Sequence, residues 1–460
     1  MKSDNVLGRD AINSCVLSLR AATDEVENLS PAVLSALARA ASRFAVAAKR
    51  LRRKRVRARR AENRKRSSSS EPRPAPAPDP QAVPRNGRGR SRCCYACGTA
   101  FSRRHFFYDS LCPPCATLHH DKRLQTADLT GRVALVTGAR VSSGYAAALK
   151  LLRAGATVVG TTRFPRNAAV RFGAETDFDV WSGRLHLHGL DFRAPSWVEA
   201  FATHVEGTFR RLDILVNNAA QTVRRPAPFY AHLVPAECVP ERELPARFRP
   251  VLASEQSFAG SFRPGLAAML SQAKVLNEDV LALPAWPGAA EGSAALDLRE
   301  RNSWVQGLGQ VESAECLETL LVNAAAPFIL TGRLRALMSR DVLADKWVVH
   351  VTAVEGQFSR KSKDGRHPHL DMAKAALNML TRTSADDYAR DRIFMNSVDV
   401  GWFSNGEPAH VAEAMRSRGF SLPIDEVDAA ARICDPIFTG IRTGVNAYGK
   451  LFKNYRPASW

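Results

Sequence analysis

Val133-Ala-Leu-Val-Thr-Gly-Ala-Arg-Val-Ser-Ser-Gly144 decides the fold of this chain. A short apolar run stops at a glycine-bearing bend, and the bend opens a helix predicted over Tyr145 to Ala154. Small residues let the backbone approach a pyrophosphate, and the free N–H groups and dipole of a helix start favour its charge. Thr137, Gly138, Arg140, Ser142 and Gly144 are the candidate phosphate-binding residues, and Ser142 stands where a second glycine is expected.

From Leu129 onward strand-like and helix-like patterns alternate. That alternation predicts an α/β fold with a doubly wound, Rossmann-type parallel sheet. Its 460 residues are enough for two or three domains. Residues 1–92 hold 22 Lys/Arg against 8 Asp/Glu, so +14 of the formal +20 lies there. Within residues 1–66 a helical pattern runs from Leu29 and ends in a dense basic run, Lys49 to Arg66. That run reads either as a solvated tail or as a contact for a polyanion or an import receptor. Residues 67–92, rich in Ser, Pro and Arg, read as an extended linker. No run of eighteen apolar residues and no apolar leader is found, so a soluble intracellular protein of cytoplasm or nucleus is expected, with no membrane contact.

Cys94-x2-Cys97 and Cys112-x2-Cys115 lie fourteen residues apart in a module over 93–121. Each knuckle presents two thiolates on one side of a tight turn, and two knuckles complete a tetrahedron for a structural zinc ion. Four thiolates leave no open position, so this metal is expected to fold the module and not to do chemistry. Phe101, Phe106, Phe107 and Tyr108 are its predicted apolar core.

Over about residues 129–460 the chain resembles the short-chain dehydrogenase/reductase family. Thr137-Gly138-x3-Ser142-x-Gly144 is similar to that family's phosphate loop. Leu212-Asp-Ile-Leu-Val-Asn-Asn-Ala-Ala220 resembles its Asn-Asn-Ala-Gly strand end, and Val-Asn323-Ala-Ala-Ala-Pro carries the asparagine of its catalytic tetrad. Met395-Asn-Ser-Val-Asp-Val-Gly401 is similar to the segment after its sixth strand. The resemblance implies a nicotinamide cofactor. It places Asp191 at the adenine, Asn217, Asn218 and Ala219 along the cleft, Lys374 on the ribose and Ser404 by the carboxamide. NAD-selective folds carry an acid after the second strand. Here Thr162 and Arg163 stand there, so NADP is expected over NAD, with Arg140 and Arg163 on the 2′-phosphate.

The resemblance fails at the chemistry. The helix His369-Leu370-Asp371-Met372-Ala373-Lys374 keeps the lysine, but Leu370 replaces the tyrosine four residues before it. In Val348-Val-His-Val-Thr-Ala-Val-Glu-Gly356 the serine position is Ala353, preceded by Thr352. Two readings stay open. In one, His369 or its neighbour His367 moves the proton, Thr352 holds a carbonyl oxygen and Asn323 keeps a water relay, giving a reductase or dehydrogenase for a small carbonyl or alcohol. In the other, the body binds NADP without turnover, as a sensor or scaffold. A nucleic-acid-associated protein driven by the basic tail is a third, weaker possibility. About residues 221–310, an insertion between Asn218 and Asn323, is expected to be a lid, a subunit contact or a loose loop, with a helix at Pro264 to Glu278. Homo-oligomers are common in the family the chain resembles.

Overall fold

The computed structural model describes residues 92–252, 265–276, 279, 297–360 and 363–460. The predicted N-terminal helix, the basic tract 49–66 and the linker 67–91 lie outside the described residues. All described residues belong to one compact unit, Arg88–Trp460.

Two tiny strands open it, β1 (Arg92–Cys93) and β2 (Ala100–Phe101), followed by α1 (Pro113–Leu124). The main sheet comprises β3 (Val133–Thr137), β4 (Thr157–Thr162), β5 (Leu185–Gly189), β6 (Ile214–Asn217), β7 (Lys346–Thr352), β8 (Ile393–Asp399), β9 (Leu451–Lys453) and β10 (Arg456–Ala458). Its order is β10-β9-β8-β7-β6-β3-β4-β5. Every pair from β3 to β9 is parallel, and β10 returns antiparallel to β9. Asn454 and Tyr455 make that return with φ of 50° and 66°, the left-handed pair that a two-residue hairpin needs.

The longer helices between strands are α2 (Ser142–Arg153), α3 (Pro165–Gly173), α4 (Pro195–Thr208), α5 (Ser313–Ser339), α6 (Pro368–Ala389), α7 (Ala409–Ser417) and α8 (Glu426–Thr443). One face of the sheet packs Leu151, Val158, Ile433 and Phe438 with α2 and α8. The other packs Phe201, Leu215, Leu330 and Val348 with α4 and α5. Buried on both faces, the strands read as near-continuous apolar runs. Strand order reverses between β3 and β6, and ligands bind at the carboxyl edge of such a switch point.

Among the described residues α5 alone is long and apolar enough, by length and composition, to cross a membrane. Its apolar residues Leu330, Leu334 and Leu337 are buried in the second core face. His350 on β7 is a core histidine, bonded to Thr381 (2.8 Å) and Thr331 (3.3 Å) and held neutral by burial.

Of the helix expected at Pro264–Glu278 only Leu266–Leu270 is helical; Pro264, Asn277 and Glu278 lie outside the described residues. Gly265, at φ 76°, turns the chain into that short helix, and the helical run stops at Ser271.

Candidate active site

At the carboxyl edge of β3, β4, β5, β7 and β8 lies a cavity of about 870 Å³. Gly138 follows β3 with φ +70°, and Ser142 takes φ +61° where a glycine was expected. A left-handed non-glycine residue costs about 1 kcal/mol, so the serine carries strain at the bend. No side chain caps the start of α2, which leaves its first amides to an anion. Gly144 sits under the bend, off the cavity wall. A Cβ there would stand 2.2 Å from the Gly138 carbonyl oxygen.

Thr137 is not on the cavity wall either. Its hydroxyl accepts from the Asn218 and Ala219 amides (2.9 Å each) and donates to the Val216 carbonyl, clipping β3 to β6. The Asn218 side chain completes the clip, donating to the Thr137 carbonyl (3.0 Å) and accepting from Ser143 (2.8 Å). Asn218 and Ala219 line the cavity.

The end beyond β4 is basic. Arg163 lies 4.4 Å over the Tyr230 ring, and Arg140 donates to Asn167 (2.8 Å) and covers Phe164. Burial pulls the Arg140 pKa down to about 10. Asp191 lines the same end, with Arg193 forked onto its carboxylate (2.7 and 3.1 Å). The insertion forms this wall: Tyr230 comes from it, and Glu237, fully buried, accepts from the Arg166 and Asn167 amides (3.0 and 2.8 Å) at the start of α3. Buried ion pairs hold it down, Arg224 with Asp279 and Glu318 and Arg225 with Asp297.

Burial raises the Glu237 carboxyl to about 7, above the ordinary value near 4.3. The folded state then binds the extra proton, so this group's contribution to stability falls as pH rises through that window. Glu237→Gln is expected to flatten the pH dependence of the melting temperature between about pH 4.5 and 7. Equal slopes in the two proteins would remove the assignment.

At the other end, Lys374 on α6 lines the cavity and donates to the Val351 carbonyl at 2.8 Å. Burial pulls its pKa down to about 8, opposed by Glu355. Leu370, Thr352, Ala353, Glu355 and Ser404 share this wall. The Thr352 hydroxyl is buried and has no hydrogen-bond partner among the described residues.

Three expected site residues turn away. His369 is buried but off the cavity wall; His367 is on it, stacked on Trp304 (4.4 Å) with its Nδ1 at the Trp304 carbonyl (2.9 Å). Asn217 points to Thr331 of α5 (3.1 Å). Asn323, in a π-helical turn Leu321–Ala325, bonds the Gln221 backbone at both amide atoms (2.7 and 3.0 Å) and so anchors the start of the insertion. Glu355, Tyr230, Trp304 and Tyr95 line the cavity without having been singled out from the sequence.

The cysteine module packs on α8. Phe101, Tyr108 and Leu111 form its core with Ile424, whereas Phe106 and Phe107, expected inside, are exposed. The four Sγ atoms of Cys94, Cys97, Cys112 and Cys115 lie within 4.8 Å of one another, and Cys97 and Cys112 are 3.7 Å apart. A tetrahedral zinc with bonds of about 2.3 Å needs edges of about 3.8 Å, so the sulfurs fit that ion.

A switch-point cavity, a glycine bend under an uncapped helix and a basic far end define a dinucleotide-binding α/β protein. The model of the family described as short chain dehydrogenase matches residues 132–233. An uncharacterized protein of Acanthamoeba polyphaga mimivirus is 30% identical over 362 residues, covering 75% of this chain and 71% of that one. A 2-dehydro-3-deoxy-D-gluconate 5-dehydrogenase of Pseudoalteromonas atlantica is 34% identical over 106 residues, 23% of this chain and 40% of the relative. A short chain dehydrogenase from Burkholderia cenocepacia solved with NADP aligns with a TM-score of 0.44 at 19% identity, over 70% of this chain and 96% of that one. The chain belongs to the short-chain dehydrogenase/reductase family.

Proposed function

We propose that this protein is an NADP-dependent oxidoreductase for a carbonyl/hydroxyl pair, carrying a structural zinc module. The observation that supports the cofactor choice is the end of β4, where Thr162 and Arg163 replace an acid and Arg140 stands beside them. When bound, the nicotinamide supplies hydride chemistry. The bend Gly138–Ser142 and the first turn of α2 hold the pyrophosphate. Arg140 and Arg163 hold the 2′-phosphate, and Lys374 holds ribose hydroxyls. The orphaned Thr352 hydroxyl meets the substrate oxygen, and His367 exchanges a proton with it.

Calorimetry is expected to show NADPH binding about 10- to 100-fold tighter than NADH, with Arg163→Ala removing most of the difference. Equal affinities would sink the cofactor choice, and no heat from either at millimolar levels would sink the whole reading. Binding with no turnover across a carbonyl panel would leave a dinucleotide sensor, the second reading that Leu370 and Ala353 favour.

A further inference from the structure

Tyr95 lies between two of the clustered cysteines, Cys94 and Cys97, yet its side chain lines the cavity of the sheet domain. Its hydroxyl accepts a hydrogen bond from the Trp402 amide at 2.6 Å. Its own O–H donates to no group among the described residues. The approach is tight, because a Cβ on Gly401 would stand 3.1 Å from that oxygen. The module is held in this pose from several sides. Tyr108 donates to Asp428, Arg123 pairs with Asp425 and Asp428, and Arg432 donates to His119 at 3.1 Å.

Strand order says what Tyr95 meets. Arg163 and Asp191 follow β4 and β5, the glycine bend follows β3, Thr352 ends β7 and Ala353 to Glu355 follow it. A dinucleotide with its phosphates at the bend and its adenosine end at Arg163 reaches β7 with its other end. Tyr95 stands farther along the same edge, beside Gly401 after β8 and Asn454 after β9. The position four residues before Lys374 presents only the Leu370 side chain to this space.

From this placement we infer that Tyr95 is a substrate-contacting residue: the cysteine knuckle delivers its hydroxyl into the cavity, where it donates a hydrogen bond to the carbonyl oxygen of the substrate. The metal-binding module is thereby part of the binding site. The inference rests on the oxidoreductase reading for the identity of the ligand as a carbonyl compound.

The test uses the full, zinc-loaded chain and 4-nitrobenzaldehyde, an aromatic carbonyl that quenches tryptophan emission. Trp304 and Trp402 both line the cavity and report its binding without turnover. With saturating NADP+, which carries no hydride to transfer, Tyr95→Phe is expected to weaken the aldehyde about 5- to 10-fold, the effect of one neutral hydrogen bond. Zinc content and NADPH affinity should stay within twofold of wild type. Tyr108→Phe, which breaks a docking bond remote from the cavity, is expected to lower the melting temperature and leave aldehyde affinity unchanged. A Tyr95→Phe affinity within twofold of wild type overturns the inference, and so does wild-type protein that shows no saturable quenching. Loss in Tyr95→Phe and Tyr108→Phe alike overturns it too, because the effect is then one of folding. If the aldehyde binds and depends on Tyr95 while neither nucleotide binds, the oxidoreductase reading fails and the role of Tyr95 stands.

Discussion

Gly144→Ala is expected to abolish useful dinucleotide affinity and to destabilise the fold by about 3 kcal/mol. The added Cβ would sit 2.2 Å from the Gly138 oxygen and 2.4 Å from Asn218 Nδ2. Neither obstacle is the loose end of a flexible side chain. The first is the backbone of the bend, and the second is fixed by its bonds to Thr137 and Ser143. The helix start must therefore move away from the bend, and the amides that would face a pyrophosphate move with it. Misplacement by about 1 Å is worth about 100-fold at a positioned ligand. Calorimetry with NADPH and a thermal melt check the two halves separately. Gly207→Ala near the end of α4 is the control, since a Cβ there meets nothing within 4 Å and is expected to be neutral or mildly stabilising. If Gly144→Ala binds nucleotide as wild type does, the bend is not the phosphate site.

The strands and the bend were legible because they obey local rules. Buried parallel strands are apolar runs, and a helix that starts at a ligand leaves small residues before it. The wall of the site was less legible, since it depends on side-chain direction. His369 shows why. Positions 370 and 374 stand at i and i+4 on one stripe of α6, and both line the cavity; His367, the left-handed residue just ahead of the helix, lines it too. Position 369 lies about 140° from 374 around the helix, so its imidazole faces elsewhere. That stripe was present in the sequence, whereas the place of His367 is set by the left-handed turn ahead of the helix. Asn217 and Asn323 had the right residue type, but their amides serve α5 and the insertion instead of the cavity. Tyr95 and Tyr230 reach the site from segments remote in the chain, and no periodicity carries that information. The described part of the insertion packs against the domain because buried pairs such as Arg224 with Asp279 hold it there.

Removing the metal is expected to have the largest effect of all. The core of the module is a handful of side chains, and β1 and β2 are two residues each, too short to fold unaided. Structural zinc in small modules supplies about 10–16 kcal/mol of folding free energy, and here nothing else of that size is available. Chelation, or Cys112→Ala, should therefore unfold residues 92–112 and free α1. The damage reaches the sheet domain, because Asp428, 1% exposed, then loses both Tyr108 and Arg123. Stripping the partner from a buried charge costs about 3–5 kcal/mol. Hydrogen exchange should show protection lost first in 92–124 and then in α8, whereas reductant alone should change nothing there, since no disulfide joins the cysteines among the described residues. One zinc per chain by atomic absorption is the matching stoichiometry. A chain that contains no metal and ignores chelators would show that the four sulfurs converge for another reason. Persistence of the α8 protection after metal loss would show that the module merely rests on the domain.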